Sequence, residues 1–238
     1  MSEKIKTNAQ NYIFRPDFQY SHDNPYHDKL AAFDHFVLRD DEGEKQKSLW
    51  NKEVFQNSLP LWVEIGSGYG EFMMEFCEKH PELNFIGMDH RFKRSFQVAR
   101  NLATLPHRNF RFLRARGERL EFLFGSNELD KILYFFPDPW PKKRHHKKRL
   151  FQTRFLDASY ECLKPQGEIL IKTDHDDYYQ WMLEFIKKDD RFEMIFHTTN
   201  LREEFPEHFL ASFQTKFEKI FISQGVKIKA IILKSKKL

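Results

Sequence analysis

The chain has 238 residues and a net charge of +4; 40% of its residues are hydrophobic, 31% are charged, and Phe alone occurs 26 times. That is core material for one sizeable domain, or one domain with an extension, and the sparse Gly (9) and Pro (10) exclude collagen-like and disordered chains. No run approaches the ~18 uncharged apolar residues of a membrane span, no hydrophobic stretch backs the N-terminus, and two cysteines, Cys77 and Cys162, build neither a disulfide framework nor a Cys-based zinc site; a reduced, cytosolic setting is the expectation.

Residues 1–27 are polar and irregular, dotted with Tyr12, Phe14, Phe18, Tyr20 and Tyr26 and interrupted by Pro16 and Pro25. They read as an arm, packed on the domain or ordered by a ligand. The spacing of Leu30, Phe33 and Val37 predicts a helix over 28–40. A charged linker over 40–48 and a short helix around 50–57 then lead into the core. The division expected is 1–45 as arm and helix, available to contact a ligand, and 46–238 as the main domain.

From residue 61 strands and helices alternate. Strands are predicted over 61–66, 84–89, 109–115, 130–138 and 167–174, with helices over 71–81, 91–102, 117–124, 150–163 and 177–188. Two further strands, 192–198 and 226–233, close the chain. The alternation implies an α/β fold: a mostly parallel sheet, helices on both faces, and an antiparallel addition at one edge. In such sheets ligands sit beyond the carboxyl ends of the strands, so the residues after each strand matter most.

The first strand runs into Glu64-Ile65-Gly66-Ser67-Gly68-Tyr69-Gly70. Glycines here let the backbone turn tightly and approach a ligand, and the helix behind them offers free N–H groups. A dinucleotide pyrophosphate wants its third glycine one residue later, where this chain has Glu71. A carboxylate at the strand end suits a cationic ligand better. Asp89 ends the second strand, where an acid can accept hydrogen bonds from ribose hydroxyls. The bland reading is a tight strand–helix turn and no more. Glycines and acid in this order resemble a class I S-adenosylmethionine-dependent methyltransferase.

The fourth strand ends in Phe135-Phe136-Pro137-Asp138-Pro139-Trp140-Pro141, followed by Lys142-Lys143-Arg144-His145-His146-Lys147-Lys148-Arg149. Three prolines stiffen the turn that carries Asp138. The octet holds six Lys/Arg, and residues 227–238 hold five Lys, so the other 218 residues net −7. A charge run is usually a solvated face. At the rim of a nucleotide-binding sheet, a phosphate-binding role outweighs that reading. His145 and His146 are not read as metal ligands: their neighbours are cations and no third ligand is visible.

This string is closely similar to the signature of the tRNA (guanine-N7-)-methyltransferase family, and the resemblance runs from about Leu61 to Leu233. It implies a Rossmann-like class I methyltransferase with a mostly parallel seven-stranded sheet and an antiparallel edge strand. It implies S-adenosylmethionine as cofactor, S-adenosylhomocysteine as its product, and tRNA as partner, with guanine 46 of the variable loop as target. The cofactor-binding residues it implies are Glu64, Gly66, Gly68, Asp89 and Asp138, with Asp138 also catalytic. Lys142, Asp174 in Lys172-Thr173-Asp174, and Thr215, Lys216, Phe217 and Glu218 are the implied substrate-binding residues. Arg144, Lys147, Lys148 and Arg149 are expected on RNA phosphates. One departure is Arg116, which stands where the family usually has Asp or Asn against the adenine end of the cofactor; Glu118 or backbone groups are the alternatives. Monomer, homodimer and complex with a partner subunit all stay open.

Guanine N7 carries a lone pair and no proton, so methyl transfer to it needs no general base. It needs alignment, and charge stabilisation for a purine that becomes cationic. Asp138 is expected in that electrostatic role. Asp174 and Glu218 are expected to accept from guanine N1–H and N2–H₂, with Thr215 capping a short helix that fixes Glu218. Asp174 as a helix cap and Glu218 as an ordinary helix residue are the plainer readings. A binding module without catalysis and a methyltransferase for another substrate are the competing functions.

Overall fold

The computed structural model describes residues 12–20, 23–106 and 108–238. Of the expected arm, residues 1–11, 21 and 22 lie outside the described residues.

Eight strands form one sheet: β1 (Val37–Arg39), β2 (Leu61–Ile65), β3 (Asn84–Met88), β4 (Phe110–Arg114), β5 (Leu129–Phe135), β6 (Leu163–Thr173), β7 (Phe192–Thr198) and β8 (Lys229–Ser235). Their order is β1-β4-β3-β2-β5-β6-β8-β7. All pairings are parallel except those of β8, which runs antiparallel to both β6 and β7. The antiparallel strand expected at this side of the sheet is therefore β8, which is inserted one strand in, with β7 at the edge.

The helices are α1 (Pro25–Leu30), α2 (Asp41–Glu44), α3 (Glu71–Lys79), α4 (Phe92–Leu102), α5 (Leu120–Leu123), α6 (Thr153–Cys162), α7 (Asp176–Ile186), α8 (Leu201–Glu204) and α9 (Lys216–Ser223). Alternate strand residues feed two cores, because successive side chains leave opposite faces of a strand. Val63, Ile132, Tyr134, Ile169 and Ile231 join Phe155, Leu156, Tyr178 and Met182 on one face. Phe85, Leu133, Phe135, Leu170 and Ile232 join Phe72, Phe76, Val98 and Leu201 on the other. The strand order reverses between β2 and β5, so a crevice opens beyond their carboxyl ends.

Strand β1, one more than the seven strands expected, corrects two expectations at once. The predicted helix over 28–40 ends at Leu30, and Val37–Arg39 pairs with Phe112–Arg114 of β4 instead. The apolar spacing fitted a helix, but burial of Phe36 and Val37 against the sheet edge, with backbone pairing to β4, outweighs local periodicity. The linker over 40–48 is likewise ordered, with α2 at its start. Pro25, read as an interruption, instead opens α1, and α8 had no predicted counterpart; the elements predicted from residue 50 onward are all present, with ends shifted by a few residues.

The described part of the arm packs on the domain. Arg119, fully buried, donates to Glu44 through Nε (2.7 Å) and Nη2 (2.9 Å) and to the carbonyls of Ile13 and Arg15 through Nη1 (2.9 and 2.6 Å). Arg154 Nη2 donates to the Phe14 carbonyl at 2.8 Å, with its guanidinium 4.3 Å above the Phe14 ring.

Candidate active site

A cavity of about 1110 Å³ occupies the crevice. Its walls include Gly66, Asp89, Arg116, Asp138, Asp174 and Phe217, so residues from five separate strand-end turns and from α9 converge on it. Large enough for a small cofactor with part of a second substrate, it is the natural place to look for function.

One rim is acidic and glycine-rich. Gly66 and Gly68 take φ of +87° and +60°, a region that side chains avoid, and a Cβ built at Gly66 would meet nothing within 4 Å. The bare backbone thus faces open space, held by hydrogen bonds from Gly66 N (2.8 Å) and Ser67 N (2.9 Å) to the Met88 carbonyl. Glu64 lies just beneath this loop, 4% exposed, and its Oε2 has no hydrogen-bond partner. Burial pushes its carboxyl up to about 8, against the pull of Ser67 and Lys172. A buried carboxylate oxygen left unpaired costs stability unless a ligand pairs it. Asp89, 5% exposed, accepts from Arg91 N at 2.8 Å and Arg94 Nη1 at 2.9 Å, which fixes its carboxylate at the end of β3.

The opposite rim is the proline turn. Asp138 is exposed, and its carboxylate has no hydrogen-bond partner among the described residues. Phe136 and Trp140 flank it at φ of +49° and +45°, so the turn is strained on both sides of the aspartate. Lys148 Nζ sits 4.5 Å over the Trp140 ring, and Lys147 and Lys148 both line the cavity.

Residues 58–231 match the family model described as "Putative methyltransferase". A tRNA (guanine-N(7)-)-methyltransferase of Enterococcus faecalis is 37% identical over 200 residues, covering 84% of this chain and 90% of that protein. One from Macrococcus caseolyticus is 30% identical over 219 residues, covering 92% and 95%. The chain belongs to the tRNA (guanine-N7-)-methyltransferase family. A bifunctional glycosyltransferase/methyltransferase of Fusobacterium nucleatum is 36% identical over 199 residues; this chain spans only 30% of that protein's length. Among solved structures, the 16S rRNA methyltransferase KamB gives a TM-score of 0.55 at 13% identity, covering 82% of this chain and 93% of that one. The antibiotic-resistance methyltransferase Kmr gives 0.53 at 17%, covering 75% and 88%. These two share the fold.

The residues that the family resemblance implies sort into those at the cavity and those behind it. Gly66, Asp89, Asp138, Asp174, Phe217, Lys147 and Lys148 line it, and so do both Arg116 and Glu118. Asp174 does not cap α7, because His175 Nδ1 takes that position and accepts from Tyr178 N at 3.3 Å. Its half-buried carboxyl is raised from the usual range, chiefly by burial. Lys142 and Arg144 are exposed outside the cavity wall. Lys216 reaches across to Glu71 at 3.0 Å.

Two residues need correction. Glu218 is fully buried, and both carboxylate oxygens are taken: Oε2 by Lys172 Nζ at 2.7 Å and Oε1 by Arg202 Nε at 2.8 Å. It cannot also accept from a base in the cavity. Thr215 Oγ1 accepts from Glu218 N at 3.1 Å, the expected cap, and the pair sets α9 so that Phe217 projects at the cavity, 49% exposed. Lys172 donates as well to the carbonyls of Leu210 (3.0 Å) and Phe213 (3.2 Å), and burial draws its ammonium down to about 8 despite Glu218. Arg149 is the second correction: it is 1% exposed, and donates inward to Asp177 and to the Pro139 carbonyl. A guanidinium so enclosed is not a surface phosphate contact.

Sequence reasoning did not assign Ile13, Phe14, Phe18 or Phe221 to the cavity, yet they line it. For Phe14 and Phe18 the signal available was the density of aromatic residues in a polar arm.

Proposed function

We propose that this chain transfers a methyl group from S-adenosylmethionine to N7 of a guanine in tRNA, with guanine 46 of the variable loop as the target. The observation that carries this reading is one cavity shared by the glycine loop, Asp89, and an unpaired aspartate whose turn leads straight into exposed cations.

The donor set fits this cofactor. The unpaired Oε2 of Glu64 suits a cationic amino-acid end, the open backbone at Gly66 and Gly68 admits close approach, and Asp89 suits ribose hydroxyls. Bound S-adenosylmethionine supplies an electrophilic methyl on a sulfonium centre. Guanine N7 attacks with its lone pair, the N–C bond forms as the C–S bond breaks, and S-adenosylhomocysteine leaves with the electron pair. The protein has no proton to move; holding the two partners in line supplies several kcal/mol of the rate enhancement. Asp138 faces the positive charge that develops on the purine.

Asp174 is the carboxyl left to accept from guanine N1–H and N2–H₂, since Glu218 is engaged by Lys172 and Arg202. Phe217 offers a ring for the base to stack on. Glu218 and Thr215 position Phe217. Lys142, Arg144, Lys147 and Lys148 face the phosphates of the folded RNA, with Lys143 among them. The methyl-transfer reading is tested by incubating labelled S-adenosylmethionine with an unmodified tRNA transcript. Label is expected in N7-methylguanosine, with chain scission at position 46 after borohydride and aniline. Label in another nucleoside overturns the assignment of substrate; absence of both label and cofactor binding leaves a binding module.

A further inference from the structure

We infer that Arg149, the last residue of the basic octet, is a positioning residue that holds the Asp138 turn in its working direction. The inference rests on the methyl-transfer reading above for what the turn does, and on the geometry for how it is held.

The turn cannot brace itself. Pro137, Pro139 and Pro141 have no N–H, so every second residue lacks a donor. Among the described residues, 137–141 take part in one hydrogen bond, from Arg149 Nε to the Pro139 carbonyl at 2.8 Å. That carbonyl belongs to the residue after Asp138. The proline rings already fix φ at 137 and 139, so anchoring this carbonyl leaves the aspartate little rotational freedom.

The far side of the guanidinium is anchored in turn. Nη2 pairs with Asp177 in the first turn of α7. The guanidinium carbon lies 4.9 Å from the Tyr178 ring centre and 5.0 Å from that of Trp181. Both rings are themselves held: Tyr178 Oη is 2.9 Å from Tyr134 Oη, and Trp181 Nε1 donates to the Phe151 carbonyl at 2.8 Å. Arg149 thus ties the turn to β5 and α7. Lys142, Lys143, Arg144, Lys147 and Lys148 of the same octet are exposed. The remaining nitrogen, Nη1, is buried with no acceptor, although Arg149 lines the cavity. An arginine kept for stability alone gains nothing from an unpaired buried donor. A lysine has no fork with which to reach Pro139 and Asp177 together.

The test uses the full chain labelled with 5-fluorotryptophan, with the Trp140 signal assigned by Trp140→Phe. Arg149→Lys and Asp177→Asn are expected to broaden or split the Trp140 fluorine resonance while the core Trp50 resonance stays native. Single-turnover methyl transfer at saturating tRNA and S-adenosylmethionine is expected to fall at least ~10-fold in Arg149→Lys and about threefold in Asp177→Asn, because misalignment at the reacting centre is costly in rate. The salt dependence of tRNA binding is expected to match the parent. A native Trp140 resonance, an undiminished rate, or, in the uncharged Arg149→Gln, a salt slope lowered by about one overturns the inference, the last by restoring a phosphate contact. Should Arg149→Lys lose the Trp50 signal, Asp177→Asn decides by the same readouts. If the parent protein methylates no tRNA, the functional reading fails, and the Trp140 resonance still judges Arg149.

Discussion

The two rims of the cavity are built on different principles. The glycine rim is local: Glu64 lies in β2, Gly66, Gly68 and Asp89 follow directly on β2 and β3, and backbone bonds to Met88 hold the glycine loop while Arg91 and Arg94 hold Asp89. The opposite rim is assembled from a distance. Asp138 depends on Arg149 and α7, and Phe217 depends on a carboxylate paired with Lys172 on β6 and Arg202 on α8. A small cofactor is served by a fixed cradle at strand ends. On the proposed reading the second rim serves a folded RNA, which needs a surface larger than any one turn, and this rim draws on parts brought together only by the tertiary fold.

The largest expected effect strikes the distant assembly. Glu218→Ala leaves the Lys172 ammonium buried without its counter-charge, and is expected to cost about 3–5 kcal/mol in urea unfolding. A loss below ~1 kcal/mol would mean that this rim does not rest on the buried pair. Next is Asp138→Ala, expected to lower the single-turnover rate about 100-fold with the fold intact. A near-normal rate would remove Asp138 from the chemistry.

Neutralising Lys147 and Lys148 together probes the outer surface alone. The slope of log affinity for tRNA against log salt is expected to fall by about two, with cofactor affinity unchanged. An unchanged slope would return the octet to an ordinary solvated face. The smallest effect belongs to the glycine rim. Glu64, with its carboxyl at about 8, is mostly protonated in the free protein at neutral pH. Pairing with a cationic cofactor requires it to ionise, so affinity for S-adenosylmethionine is expected to rise with pH, by up to about tenfold per unit below 8. Glu64→Gln is expected to flatten that rise. The folded-state value lies above the ordinary carboxyl range, so this group favours folding at low pH and that contribution fades as pH rises toward 8. Glu64→Gln therefore also stabilises the free protein most at the alkaline end.

The same division decides what could be read from the sequence. Strand–turn–helix alternation and the glycine spacing are local signals, and they located β2 through β6, the cradle and Asp89. The proline turn and Thr215 as a cap were legible for the same reason. Glu218 and Arg149 were misjudged because charge type is visible in a sequence and burial is not: one carboxylate and one guanidinium that looked exposed are enclosed by partners 46 and 28 positions away. The strand Val37–Arg39 was hidden by apolar spacing that fits a helix, until β4 supplied the edge to pair with.

Attack by N7 is tested most directly with two tRNA transcripts that differ only at position 46, one carrying guanine and the other 7-deazaguanine, which lacks the nucleophilic nitrogen. Both are expected to bind with similar affinity, and only the guanine transcript is expected to take label from S-adenosylmethionine. Equal labelling of the 7-deazaguanine transcript would contradict methyl transfer to N7 of that base.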